Sequence, residues 1–190
     1  MKKVYFLLLI LAANYAAAQN KEYSISMNGL GALRLGMSQA KAEELLNKKI
    51  ALTKNYLDTL NGYYEDTANV MYKNIPVQLE FQRSYTAPNT FYMRLIGIRS
   101  SSPLCKTSDG LGVGSDNLKI VAAYNDYHIN IQPGFYNYYA TETGKGKSTI
   151  RILDDAASTM LYDANAYTLV FYLLNNKVVS FEIKGKLKEE

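Results

Sequence analysis

One short phrase occurs twice in the chain, in residues 33–47 and again in residues 111–125. Each copy has alternating apolar residues, a glycine, a helix-capping residue two positions later, and apolar residues at helical spacing. The matched residues lie at one constant offset: Gly36 with Gly114, Ser38 with Asp116, Lys41 with Lys119, Leu46 with Tyr124, and Asn47 with Asn125. Each copy therefore predicts a short strand, a glycine turn and a one-faced helix.

The rest of each copy predicts sheet. The helices are expected at about Gln39–Asn47 and Asn117–Tyr124, and Asn175-Asn176 is expected to turn a hairpin. Alternating or apolar runs predict strands at Ile50–Leu52, Tyr63–Tyr72, Val77–Gln82, Phe91–Ser100, His128–Ile131, Thr149–Leu153, Tyr167–Leu174 and Lys177–Lys184. The expected fold class is α+β, with two tandem repeats that each pack a short helix on an antiparallel four-stranded sheet.

The N-terminus predicts export. Lys2 and Lys3 precede an apolar run, and Ala16-Ala17-Ala18 offers a small-residue cleavage site after Ala18. The run is too short to span a bilayer. We therefore expect a signal peptide at residues 1–18, a lead-in at 19–32, the first repeat at 33–100, the second at 101–185, and a charged tail at 186–190. The mature protein would be periplasmic or secreted, with no transmembrane segment.

Composition limits the partners. Removing residues 1–18 takes away Lys2 and Lys3, which lowers the formal net charge from +4 to +2. That balance gives no support to nucleic-acid binding. Cys105 is the only cysteine, so no intramolecular disulfide can form, and we expect it to be a small buried side chain.

The residues supply no recognisable catalytic or metal-binding pattern. His128 is the only histidine and lies in a predicted strand, where a packed or surface role is favoured over a catalytic base. Without a second histidine or cysteine, a zinc site is not expected. The segment 144–148 lacks the first glycine of a phosphate-binding loop. We expect no cofactor and no metal.

Tyrosine is the one unusual component, with 17 in the chain and no tryptophan. Tyr136, Tyr138 and Tyr139 form part of the densest group, and tyrosine suits binding surfaces because its ring adds contact area and its hydroxyl a polar tip. Tyrosine is also simply a good strand residue. Tyr124 belongs to the apolar face of the second helix and is expected in the core.

The doubled phrase, with its strands and leading signal peptide, resembles the β-lactamase-inhibitor-protein-like superfamily, whose single-repeat cousins include the SmpA/OmlA outer-membrane lipoproteins. The resemblance implies that each helix packs on one face of its sheet and that the sheets present a curved outer surface to a protein partner. Cys105 cannot form the disulfides of the namesake inhibitor, and no lipidation cysteine follows the signal peptide. The particular partners of these proteins are therefore not expected here.

Three hypotheses follow. The first is a non-enzymatic, exported binding module that engages a protein partner through the outer sheet face, with Tyr136, Tyr138 and Tyr139 as candidate contacts. The second is an envelope-associated structural or assembly factor. The third is a carboxylate-dependent hydrolase, since paired carboxylates cannot be recognised from sequence alone.

Overall fold

The fold is known from a computed structural model, which describes residues 21–52, 65–87, 90–136, 141–142, 144–153 and 167–185. The predicted signal peptide and the charged tail lie outside these residues. The helices are α1 (Gln39–Leu46) and α2 (Asn117–Ala123). The strands are β1 (Ile25–Ser26), β2 (Gly29–Leu30), β3 (Leu33–Arg34), β4 (Glu65–Tyr72), β5 (Ile75–Ala87), β6 (Thr90–Ser100), β7 (His128–Pro133), β8 (Phe135–Tyr136), β9 (Thr141–Glu142), β10 (Lys147–Leu153), β11 (Thr168–Leu174) and β12 (Lys177–Lys184).

The main sheet has seven strands in the order β4-β5-β6-β12-β11-β10-β7, and every neighbouring pair is antiparallel. The predicted α+β class is therefore confirmed. The expected division into two four-stranded sheets is not confirmed, because β6 pairs with β12 and joins the strands of both halves into one sheet. Two smaller sheets, β1-β2-β3 and β8-β9, complete the described strands.

One face of the main sheet forms the core. A single row of apolar residues crosses all seven strands in register: Ala68, Leu79, Ile98, Ile183, Leu169, Ile152 and Ile129. Ala42 of α1 and Ile120 of α2, both fully buried, belong to the same hydrophobic cluster. The helices therefore cover this face, and we call the opposite face the outer face.

The two copies of the phrase have the same local geometry. Gly36 and Gly114 have φ of 87° and 89°, values that suit glycine. Gly36 N–H donates to Leu95 at 2.7 Å, and Leu95 N–H donates back to Met37 at 2.9 Å. In the second copy, Gly114 N–H donates to the Val178 carbonyl at 2.8 Å, and Val178 N–H donates to the Ser115 carbonyl at 3.0 Å.

Both predicted N-caps are present. The Ser38 Oγ accepts from Lys41 N–H at 3.3 Å, and the Asp116 carboxylate accepts from Leu118 N–H at 3.1 Å. Lys177 lies 3.0 Å from that carboxylate and, with the Leu118 amide, holds the pKa of Asp116 below its ordinary value. Each helix is thus fixed at its start by the residue that the phrase places there.

Three expectations about single segments can be compared with the structure. Cys105 and Tyr124 are buried, as predicted. The strand predicted at Ile50–Leu52 is absent. Ile50 is buried there, but its N–H donates to the Glu43 carboxylate of α1 at 3.1 Å instead of to a neighbouring strand.

Candidate functional site

The outer face carries its own row in register, offset by one residue from the core row in every strand. Its members are Asn69, Gln78, Arg99, Glu182, Val170, Arg151 and Asn130. Six of these seven side chains are polar or charged. Alternation along each strand explains the contrast with the core row, since successive side chains point to opposite faces.

A cluster of three side chains marks the middle of this face, where β6 meets β12. The Arg99 guanidinium carbon lies 4.6 Å from the centre of the Tyr172 ring, within the range of a cation–π contact. The Tyr172 hydroxyl donates to the Glu182 carboxylate. Burial, with the nearby negative charge of Glu182, raises the pKa of Tyr172 well above its ordinary value, so the phenol stays protonated as the donor.

The β11 side of the outer face is covered. Tyr172, Val170 and Thr149 point to this face but are buried. The Phe135 ring meets the Tyr172 ring edge-on at 5.7 Å, and the Thr149 hydroxyl donates to the Gly134 carbonyl at 2.8 Å. The segment after β7 therefore packs over this part of the sheet.

The β4–β5 side is open to solvent, and we call it the open half. Asn69 and Pro76 are exposed, and Met71 has 57% of its surface exposed. A shallow cavity of about 620 Å³ runs from here to the β6–β12 junction. Its lining comes from Lys48, Asn69, Val70, Met71, Pro76, Val77, Gln78, Arg99, Ser100, Ser101, Val179 and Ser180.

An ion pair and a glycine flank the cluster. Lys184 Nζ lies 3.0 Å from Glu80 Oε1, and Gly97 lies between their two strands in register with both. A Cβ at Gly97 would come 2.6 Å from a Glu80 carboxylate oxygen. The absent side chain therefore leaves the space in which the Glu80 carboxylate sits.

The predicted tyrosine contacts are only partly within the described residues. Tyr136 ends β8 and pairs with Thr141 of β9, next to the Phe135 that packs on Tyr172. Tyr138 and Tyr139 lie outside the described residues. The strand predicted around His128 is confirmed as β7, and His128 itself is exposed.

Sequence reasoning did not single out Arg99, Tyr172 or Glu182. Arg99 and Glu182 alternate with core residues and could have been assigned to an outer face, but Tyr172 lies in an almost continuous apolar run. Their meeting depends on the pairing of β6 with β12, which joins residues far apart in the chain.

The described residues show little that resembles a catalytic or metal centre. Within them, no group of three histidine, cysteine, aspartate or glutamate side chains could hold a metal ion. No carboxylate side chain lines the cavity on the open half, and Glu22 is the one carboxylate among the residues that line a second cavity near β1–β3. Among the same residues, no helix has the length and apolar character to cross a membrane.

Comparison with known proteins gives no relative, because the chain matches no family model, no curated protein and no solved structure.

Proposed function

We propose that this protein is an exported, non-enzymatic binding module that holds a protein partner against the open half of its outer sheet face. The observation that carries the proposal is the contrast between the two sides of that face. On one side Tyr172 and Val170 are already covered, whereas on the other Met71, Asn69 and Pro76 surround an open groove that ends at Arg99.

The composition of the open half supports a protein partner. An exposed methionine lines the same groove as an arginine that stacks on a buried tyrosine, so the groove combines apolar contact area with a fixed polar anchor. Protein interfaces are enriched in methionine, arginine and aromatic residues compared with the remaining surface. Because the Tyr172 ring restrains Arg99, less conformational entropy is lost when a partner binds.

We also propose that the chain is a tandem repeat of the kind expected from the doubled phrase. Support comes from the matched pairs of hydrogen bonds that join Gly36–Met37 to Leu95 and Gly114–Ser115 to Val178. On this proposal β6 and β12 are equivalent strands, one from each repeat, and they pair at the centre of the sheet. The β-lactamase-inhibitor-protein-like arrangement would then have its two sheets fused edge to edge.

The test is capture of a partner by the mature protein, from Gln19 onward, in envelope and secreted fractions of the source organism. Asn69→Arg places a long charged side chain on the open half. Its matched control is Asn125→Arg, at an exposed asparagine that follows α2 on the helix side. We expect a stoichiometric protein that is captured by the wild type and by Asn125→Arg but not by Asn69→Arg.

Two results would contradict the proposal: no captured protein, or equal capture by both variants. A bait with Tyr136, Tyr138 and Tyr139 changed to alanine asks whether the tyrosine segment adds to the same interface. Recovery of the captured complex with the envelope instead of the soluble fraction would favour the alternative of an envelope-associated assembly factor.

A further inference from the structure

The groove on the open half has an unbalanced charge. Lys48 and Arg99 are its two ionisable lining residues, and both are cationic. The side-chain amides of Asn69 and Gln78 and the hydroxyls of Ser101 and Ser180 provide further hydrogen-bond donors, whereas the Ser100 hydroxyl already donates to the Pro76 carbonyl at 2.8 Å. A negatively charged ligand group would therefore meet donors and positive charge from several sides.

Arg99 is positioned to act as an anchor. It is half-buried, and its guanidinium stacks over Tyr172, whose own hydroxyl is bonded to Glu182. Among the described residues, no ion pair or hydrogen bond engages the Arg99 side chain, although Glu182 is its neighbour across the strands. The planar fork of N–H donors is thus held in place by stacking and is not occupied by a carboxylate of this part of the chain.

We infer that the groove binds a carboxylate of the partner, paired with Arg99 and attracted by Lys48; this inference rests on the proposed function. A carboxylate fits because a guanidinium matches its two oxygens with parallel hydrogen bonds. The carboxylate can come from a glutamate or aspartate side chain or from the C-terminus of an extended segment. Met71, Pro76 and Val179 offer apolar contacts to the flanking residues.

The direct test uses short peptides and the full mature protein, labelled with ¹⁵N for NMR. One peptide is acetylated and amidated with a central glutamate, a second has glutamine in that place, and a third is the glutamine peptide with a free C-terminus. The Arg99 Nε–Hε signal is the reporter. We expect it to shift saturably with a carboxylate-bearing peptide, and the neutral peptide to bind about tenfold or more weakly.

Two variants link the binding to the groove. Arg99→Lys keeps the charge but loses the fork, and should weaken binding of the carboxylate peptide about tenfold, measured from the backbone amide signals because the variant lacks the Arg99 Nε–Hε signal. Lys48→Gln, at an exposed position, should weaken it a few-fold and reduce its sensitivity to salt. Lys119→Gln, an exposed lysine on α2 outside the groove, is the control and should leave binding unchanged.

The outcomes separate the two proposals. Preference for the glutamate peptide identifies a side chain as the source, and preference for the free C-terminus identifies a chain end; both support the inference. Equal affinity for all three peptides, or no effect of Arg99→Lys and Lys48→Gln, would overturn it.

The same variants can be used in the capture experiment. If a captured partner is lost with Asn69→Arg but retained with Arg99→Lys and with Lys48→Gln, the inference fails and the proposed function stands. If carboxylate peptides bind but no protein is captured, the proposed function fails, and the groove is a carboxylate site without a protein partner.

Discussion

Cys105 is the residue whose chemistry the fold suppresses most clearly. Its side chain is fully buried, and burial raises the pKa of the thiol from an ordinary 9.0 to about 11. In the folded state the thiol therefore stays protonated up to about pH 11, whereas in the unfolded chain it ionises near pH 9. Deprotonation favours the unfolded chain, so stability is complete below pH 9 and falls as the pH rises from about 9 to 11.

We predict two measurable effects of this burial. Native protein at pH 8 should react with a thiol reagent far more slowly than denatured protein. The free energy of unfolding, measured with urea, should lose about 2–3 kcal/mol between pH 9 and 11 beyond the loss shown by Cys105→Ser. Tyr124, whose pKa burial raises to about 12, remains in both proteins, so the difference isolates the thiol. Identical pH profiles for the two proteins would contradict the prediction.

Tyr172 is expected to stabilise the outer face through its hydroxyl. Tyr172→Phe keeps the ring under Arg99 but removes the donor to the Glu182 carboxylate. Loss of a hydrogen bond to a charged group should lower the free energy of unfolding by about 1–3 kcal/mol. Denaturant unfolding measures this, with Tyr167→Phe at a more exposed tyrosine as the control, expected to change it by about 0.5 kcal/mol at most. Equal small losses would show that the hydroxyl contributes little.

At the scale of elements, Ser38 tests whether the doubled phrase determines the helices. Its hydroxyl caps α1, which has Ala42 as its one fully buried helical side chain, so the helix depends more than usual on its cap. Ser38→Ala should cost about 1 kcal/mol in urea unfolding. Ser38→Asp, which installs the residue found at the matching position of the second copy, should remain close to wild type. A loss of the same size in both variants would mean that the cap is not the cause.

The elements with local causes were predictable from the sequence. The caps follow from Ser38 and Asp116, and the β11–β12 turn follows from Asn175-Asn176, whose φ values of 49° and 63° asparagine tolerates. Ile50–Leu52 was not predictable, because its apolar pattern is equally suited to a segment that packs beside a helix. The segment is held beside α1 by a hydrogen bond from the Ile50 N–H to the Glu43 carboxylate, and the apolar pattern does not predict this bond.

The candidate site was less predictable than the elements that carry it. Alternation along each strand places Arg99 and Glu182 on the face opposite to the core residues Ile98 and Ile183. It does not determine which strands are neighbours in the sheet. The same strands would also be compatible with a separate four-stranded sheet for each repeat. The joining of β6 to β12 is a long-range choice, and the groove, the Arg99–Tyr172 contact and the continuous outer row all depend on it.

At the scale of the whole molecule, that junction predicts one cooperative unit. Ile98 and Ile183 are cross-strand partners, both fully buried, and their hydrophobic cluster includes residues from α1 through β12. Residues of the first half therefore share a core with residues of the second. Folding of either half alone would leave this row of side chains exposed to water, so we expect the halves to unfold together.

Conservative changes at the junction test this cooperativity without preventing folding. Ile98→Val and Ile183→Val should each lower the free energy of unfolding by about 0.5–1.5 kcal/mol. If the sheet is one cooperative unit, the best-protected amides of β4 and β10 exchange through global unfolding. Each change should then reduce their hydrogen-exchange protection by the same amount, although neither strand contains the altered residue. Ile131→Val, at an isoleucine with 58% exposure in β7, is the control and should change protection little. If Ile98→Val weakened β4 while β10 kept its wild-type protection, the halves would be independent units that merely touch at β6 and β12. The Arg99 site would then depend on an interface between domains and not on a single core.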